Sequence, residues 1–106
     1  MSVNKVILLG NVGRDPEMNF ADAKNPVASF PLATNERTGS NTDLTEWHRI
    51  VMTGRNAELA ERYIRKGSKL FVEGRLRSRS YTDRYNITHR VTEIYVGSFE
   101  LLGRQV

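Results

Sequence analysis

From residue 27 to 35 the apolar side chains Ala28, Phe30 and Leu32 fall on even positions, while Ser29, Pro31 and Asn35 fall on odd ones. A period of two puts alternate side chains on opposite faces, so the pattern predicts a half-exposed strand. Pro31 has no N–H to give a ladder, which predicts a sheet edge or a bulge there. Upstream, residues 3–9 hold Val3, Val6, Ile7, Leu8 and Leu9 in a run stopped by Gly10. Such a run predicts a strand buried on both faces, with something covering its second side. Turn formers crowd residues 10–16, an extended piece follows at 17–20, and a polar turn fills 21–26. The first strand is therefore expected to bend and continue.

Residues 36–43 carry no apolar side chain and predict an exposed hairpin loop. Residues 44–53 alternate again, with Trp47, Arg49 and Val51 on one face and His48, Ile50 and Met52 on the other. The period then changes. Leu59, Ala60, Tyr63 and Ile64 form a helical stripe within residues 57–66, with Asn56 as N-cap, Glu58 in the first turn, Arg65 and Lys66 in the last, and Gly67 as the stop. This helix is expected to plug the end of a sheet or barrel.

Residues 69–81 return to period two. Leu70, Val72, Gly74 and Leu76 are expected inside, and Phe71, Glu73, Arg75, Arg77, Arg79 and Tyr81 on the other face. After a turn at Thr82-Asp83, residues 84–96 set Tyr85, Ile87, His89, Val91 and Tyr95 against Asn86, Thr88, Arg90, Thr92 and Ile94, and residues 98–102 close the chain's last apolar segment. Periodicity alone leaves a β-sandwich open. A single short helix between strands three and four decides for an all-β, five-stranded Greek-key barrel of the OB-fold type.

The length of 106 residues fits one domain, residues 1–106, with a modest core. With 39% hydrophobic and 26% charged residues the composition is that of a folded globular chain. A net charge of +4 and a pI near 9.8 bias it toward polyanions. Twelve of the sixteen basic residues are arginine, whose flat guanidinium both pairs with phosphate and stacks on bases. That turns the bias toward nucleic acid. The chain has no cysteine, so disulfides and Cys-based zinc sites are excluded. No apolar stretch has the length of a secretory core or a membrane span, and a cytoplasmic, nucleoid-associated protein without membrane contact is expected.

Arg75, Arg77, Arg79 and Tyr81 recur every second residue, about 6.5 to 7 Å apart along a strand, comparable to the phosphate spacing of an extended single strand. Three guanidiniums in line with an aromatic suit backbone tracking and base stacking. Any exposed strand alternates charged with apolar residues, but three arginines with no acid between them would repel on a merely solvated face. Trp47 shares a face with Arg49. Alternation does not say which face is outside, so a core tryptophan and a stacking one both remain open.

Catalytic readings fail on spacing. Gly10-Asn11-Val12-Gly13 has the GxxG form of a KH clamp but lies after a strand and before Asp15-Pro16, where that module needs helices. Lys66-Gly67-Ser68 reverses the order of a phosphate loop. His48 and His89 lack metal-ligand spacing, and Asp15, Glu17 and Asp83 stand singly on separate turns. A non-enzymatic chain needing no cofactor or metal is expected.

Several separated segments agree in order and spacing with one family. Residues 3–11 (VNKVILLGN), Asp15-Pro16-Glu17, Thr45-Glu46-Trp47-His48-Arg49, Arg65-Lys66-Gly67-Ser68 and Glu73-Gly74-Arg75-Leu76-Arg77 resemble the bacterial single-stranded DNA-binding protein family, over nearly the whole chain. The resemblance implies an OB-fold subunit of a homotetramer that wraps single-stranded DNA in replication, recombination and repair. It implies that Trp47 and Tyr81 stack on bases, and that Arg49, Arg55, Arg77 and Arg79, with Arg65 and Lys66, contact DNA, whereas Arg75 rests on the stripe alone. It also implies that His48 lies at a subunit interface and that first strands, with Val3, Lys5 and Ile7, pair between subunits.

Departures from the family pattern matter too. Thr38 and Thr53 lie where well-studied members carry aromatics, which shifts the expected balance toward phosphate contacts and salt-sensitive binding. The 36–43 loop and the 82–83 turn are shorter than many relatives have. The sequence ends at Gly103-Arg104-Gln105-Val106 with no acidic tail, so tail-mediated recruitment of replication and repair proteins is not expected. Two other readings share the barrel: a primosome-type protein adaptor, and an RNA-binding chaperone of the cold-shock kind.

Overall fold

The even-odd alternation of residues 27–35 and 44–53 becomes two long strands paired along their whole length. In the computed structural model, residues 1–22, 24–39 and 42–103 are described. Among them the order is β1 (Val6–Val12), β2 (Glu17–Asn19), β3 (Val27–Thr38), β4 (Thr42–Thr53), α1 (Gly54–Tyr63), β5 (Lys69–Thr82) and β6 (Thr88–Leu102). The sheet runs β1-β5-β6-β4-β3-β2, and β1 also pairs with β3 through Asn11↔Ala33 and Val12↔Leu32, which closes it. Since β1 and β2 lie in succession along the same edge of β3, they act as one bent strand, and the result is the expected five-stranded barrel.

Alternation fixes the core. Ala28, Phe30 and Leu32 of β3, Ile50 and Met52 of β4, Leu70 and Val72 of β5, and Ile94 of β6 are buried together with Val12. Pro31 falls where β3 passes from β2 to β1. Its carbonyl accepts from Gly13 N–H at 2.9 Å, and its missing donor lies in the gap between the two short strands. Within this chain β1 is covered on one face only: Val6 and Leu8 pack on the core, while Ile7 and Leu9 point outward and are exposed.

Several sequence expectations are corrected. The helix spans Gly54–Tyr63, not 57–66, its N-cap is Thr53, and Glu58 lies past its first turn. Gly54, at φ 58°, turns the chain straight from β4 into the helix. The Asn56 side chain donates to the Gly97 carbonyl instead of capping. The buried stripe is Ala57, Ala60 and Ile64, with Tyr63 outside, because small residues let the helix lie close over the barrel end. Ile64 leaves the helix to bury its side chain, so Arg65 and Lys66 lie beyond the last turn.

Residues 36–38 and 42–43 belong to strands, not to a loop. The ladder continues through Glu36↔Leu44, Arg37↔Asp43 and Thr38↔Thr42. A two-stranded ribbon with both faces in water has no core to impose alternation, which is why its sequence reads as loop. Ala23, Ser40, Asn41, Arg104, Gln105 and Val106, on which parts of the expected turn, loop and C-terminal end fall, lie outside the described residues.

Residues 88–102 form one strand with a bulge at Gly97, between the pairs Glu73↔Ser98 and Gly74↔Val96. β5 pairs with β1 only as far as Gly74, so Leu76, expected inside, is exposed, although its partner Ile94 on β6 stays in the core. Tyr85 and Ile87 fall in the hairpin turn instead of a strand. There the Asp83 carboxylate accepts from the backbone N–H groups of Tyr85 and Ile87, and Asn86 takes φ 62°. No helix among the described residues is long and apolar enough to cross a membrane.

Candidate nucleic-acid interface

Odd positions of β4, β5 and β6 share one face, because β5 and β6 pair Arg77 with Glu93, Arg79 with Val91 and Tyr81 with His89, while β4 and β6 pair Val51 with Tyr95. Trp47 and Arg49 therefore lie on the same surface as Arg77, Arg79 and Tyr81. Trp47 is 60% exposed and Tyr81 45%, which settles the orientation that alternation left open.

The Trp47 ring rests on Gly13 beside Pro31. A Cβ at Gly13 would stand 2.5 Å from Trp47 Cζ3 and 3.2 Å from Pro31 Cγ, so a larger residue there would have to push the indole off its seat. Arg14, Pro31, Trp47, His48 and Arg49 line one recess, and Arg49, Arg79, Tyr81 and Val91 line the next. Arg49 joins the two into a track running from Trp47 to Tyr81.

Cations and aromatic rings alternate along the hairpin. Arg77 Cζ stands 5.0 Å from the Tyr95 ring centre, Arg79 Cζ 5.9 Å from Tyr81, and Arg84 Cζ 5.5 Å from Tyr85. Tyr81 stacks on His89 with 5.0 Å between ring centres and 21° between planes. His89 Nε2 lies 2.7 Å from Asp83 Oδ2. That hydrogen bond, with those from the backbone of Ile87 and Tyr85, holds the Asp83 carboxyl below the usual range.

Among the described residues one buried carboxylate, that of Glu93, lies under the track, and Glu17 lines a recess beside it. Arg49 Nε donates to Glu93 Oε2 at 2.6 Å, Arg79 Nε to Oε1 at 3.0 Å, and Arg79 Nη2 to Oε2 at 3.3 Å. Burial alone would push the Glu93 carboxyl up, and the bonds from Arg79 and Arg49 more than reverse that, leaving it below its ordinary value. The same bond raises Arg79.

The other expected contact residues lie off this track. Arg75 lines a separate recess with Lys5, Thr53 and Tyr95. Arg55 pairs with Glu58 at 3.5 Å on the helix. Arg65 donates to the carbonyls of Glu61 and Ile64 and so closes the helix C-terminus. Lys66 gives its backbone N–H to Asp15 at 2.8 Å. Thr38 sits in the β3–β4 ribbon, where its hydroxyl donates to the Thr42 carbonyl. His48, on the opposite face of β4 from Trp47, lies 2.8 Å from Thr34 Oγ1. Val3 and Ile7 are exposed, and Lys5 pairs with Glu73 at 2.6 Å.

Sequence reasoning missed Gly13, Arg14, Glu93 and the ring of Tyr95 as parts of the site. Glu93 and Tyr95 share the parity of Val91, a signal that was available. Gly13 left none, because its contact with Trp47 joins residues 34 positions apart in the chain.

An open-ended track of arginines and exposed rings on a closed five-stranded barrel defines a protein of the oligonucleotide-binding class. The model of the single-strand binding protein family matches residues 3–102, and the chain belongs to that family. It is 47% identical over 109 residues to a protein of Bacteroides thetaiotaomicron named single-stranded DNA-binding protein, across 97% of this chain and 68% of that one. Among solved structures it matches one described as the Plasmodium falciparum SSB complex with ssDNA, with a TM-score of 0.86 and 33% identity over 97% of each chain.

Proposed function

We propose that this chain binds single-stranded DNA, with little regard to sequence, along the track from Trp47 through Arg49 and Arg79 to Tyr81, with Arg77 beside it on the same face. The observation that carries the reading is the placement of two exposed rings, Trp47 and Tyr81, on either side of the Arg49 and Arg79 guanidiniums on one face. Every base has a π-face, so rings accept any sequence, and guanidiniums between them meet the phosphates that link the stacked bases. The family and its named relatives support the same reading. The chain performs no chemistry on the strand; it holds and organises it in the cytoplasm, at the nucleoid, during replication, recombination and repair.

The outer face of β1 supports assembly into a homo-oligomer, a tetramer by the family resemblance. Ile7 and Leu9 present apolar side chains there, with the exposed Val3 just ahead of the strand, and a second copy supplies the cover that the apolar first strand calls for. His48 joins that interface. Arg55, Arg65, Lys66 and Arg75, spread off the main track, suit a strand that continues around such an assembly.

Titration of the protein with a dT oligonucleotide, followed by tryptophan fluorescence, tests the function. Trp47 is the only tryptophan, so quenching at saturation is expected, with an affinity that falls steeply as salt rises. Unquenched emission, or affinity indifferent to salt, refutes the reading. Preference for poly(U) over poly(dT) would assign the track to RNA instead.

A further inference from the structure

Nothing in gripping a polyanion asks for a buried acid, yet Glu93 is the one buried charged residue among those described, 2% exposed and directly under the cationic track. It subtracts a charge from the field that draws DNA in, and its burial must be offset by hydrogen bonds. Those bonds indicate what it accomplishes. Arg49 stands on β4 and Arg79 on β5, strands separated by β6, and Glu93 of β6 holds both. Arg49 spends only its Nε on the carboxylate. Arg79 spends Nε and Nη2. Both Nη groups of Arg49 and Nη1 of Arg79 are left over, on side chains still 43% and 47% exposed, beside the recess lined with Tyr81. Without an anion between them, two guanidiniums this close repel and swing apart.

We infer that Glu93 is a positioning residue of the DNA site, an internal stand-in for a phosphate that holds Arg49 and Arg79 side by side so that their outward N–H groups meet phosphates of the bound strand. This rests on the single-stranded DNA reading above. It carries an unusual sign: removing this negative charge weakens the binding of a polyanion. A role limited to electrostatic field strength gives the opposite sign, because each charge gained adds to attraction.

The Glu93→Gln variant tests this by fluorescence titration with dT oligonucleotide across a salt series, with circular dichroism recording the fold. The glutamine amide can accept from one guanidinium but turns its NH2 toward the other, so only one arginine stays aimed. The expected result is a folded protein whose Kd rises about ten-fold, as for removal of one charge-assisted hydrogen bond. The slope of log K against log salt is expected to flatten by about 0.7 for each phosphate no longer gripped. A Kd that is unchanged or lower, or a steeper slope, overturns the inference.

Should Glu93→Gln fail to fold, Glu93→Asp decides, because it preserves the negative charge while falling one methylene short of reaching both Arg49 and Arg79. A weaker Kd and flatter slope support positioning, and an unchanged Kd and slope overturn it. Failure of the unsubstituted protein to bind dT refutes both this inference and the proposed function. Normal binding by both the unsubstituted protein and the variant refutes the inference alone.

Discussion

At the scale of single residues, Trp47 and Thr53 stand six positions apart on one strand, and only one offers a ring. Trp47→Ala is expected to cost about 1–3 kcal/mol of DNA binding, as for loss of one stacked base, while Thr53→Ala changes it by no more than a few tenths. Equal losses in fluorescence-independent titrations, by calorimetry or anisotropy, would refute Trp47 as the platform. Glu93 sets an acid limit on stability. In the unfolded chain its carboxyl returns to the ordinary value of 4.5, whereas the folded value lies lower. Its stabilisation is therefore complete above that value and lost as the pH falls through the folded one. Thermal melting followed from pH 7 to pH 3 should decline less steeply at the acid end for Glu93→Gln than for the unsubstituted protein. What sequence makes legible at this scale is uneven. Trp47 and the arginines announce themselves by type, but a lone acid in a strand looks like any solvated residue, and only the convergence of three strands makes Glu93 part of the site.

At the scale of elements, alternation is legible wherever a core enforces it and illegible wherever none does. The inward faces of β3 and β4 are readable residue by residue because the barrel interior accepts only one parity. The outer part of the β3–β4 ribbon and the tip of the β5–β6 hairpin lie in water on both sides, so polarity there does not distinguish strand from loop. The helix start is hidden for a different reason. Asn56 has the chemistry of an N-cap, but the Gly54 turn begins the helix earlier and leaves Asn56 to bond Gly97. Gly74, where β5 parts from β1, is constrained by close approach: an added Cβ would stand 2.1 Å from the Tyr95 carbonyl oxygen. Gly74→Ala is expected to destabilise the fold by about 1–3 kcal/mol, read as a lower urea midpoint at unchanged slope. Undiminished stability in that variant would mean that β5 and β6 can separate locally without loss.

For the whole molecule, the apolar first strand is legible in sequence, but its two faces have different fates. Val6 and Leu8 serve the chain's own core, and Ile7 and Leu9 remain for a neighbour. Ile7→Asp is expected to leave the barrel folded, since the side chain already faces water, and to lower the solution mass measured by light scattering or sedimentation. An unchanged mass would place the assembly surface elsewhere. The charge of +4 is modest, so affinity depends on concentrating arginine on one face more than on overall attraction.

The contact between Trp47 and Gly13 has a consequence for how the protein can be observed. Gly13 follows the two residue pairs by which β1 meets β3, and it bonds Pro31 at the point where the cylinder is zipped shut. The indole is thus mounted on the zipper's last tooth. Its emission should register the first parting of those teeth, in protein without DNA, before the melting of the interior reported by far-ultraviolet dichroism. A bound strand lying across the indole should in turn hold the zipper closed, so that the ligand protects most strongly the amide of Gly13, which bonds the Pro31 carbonyl.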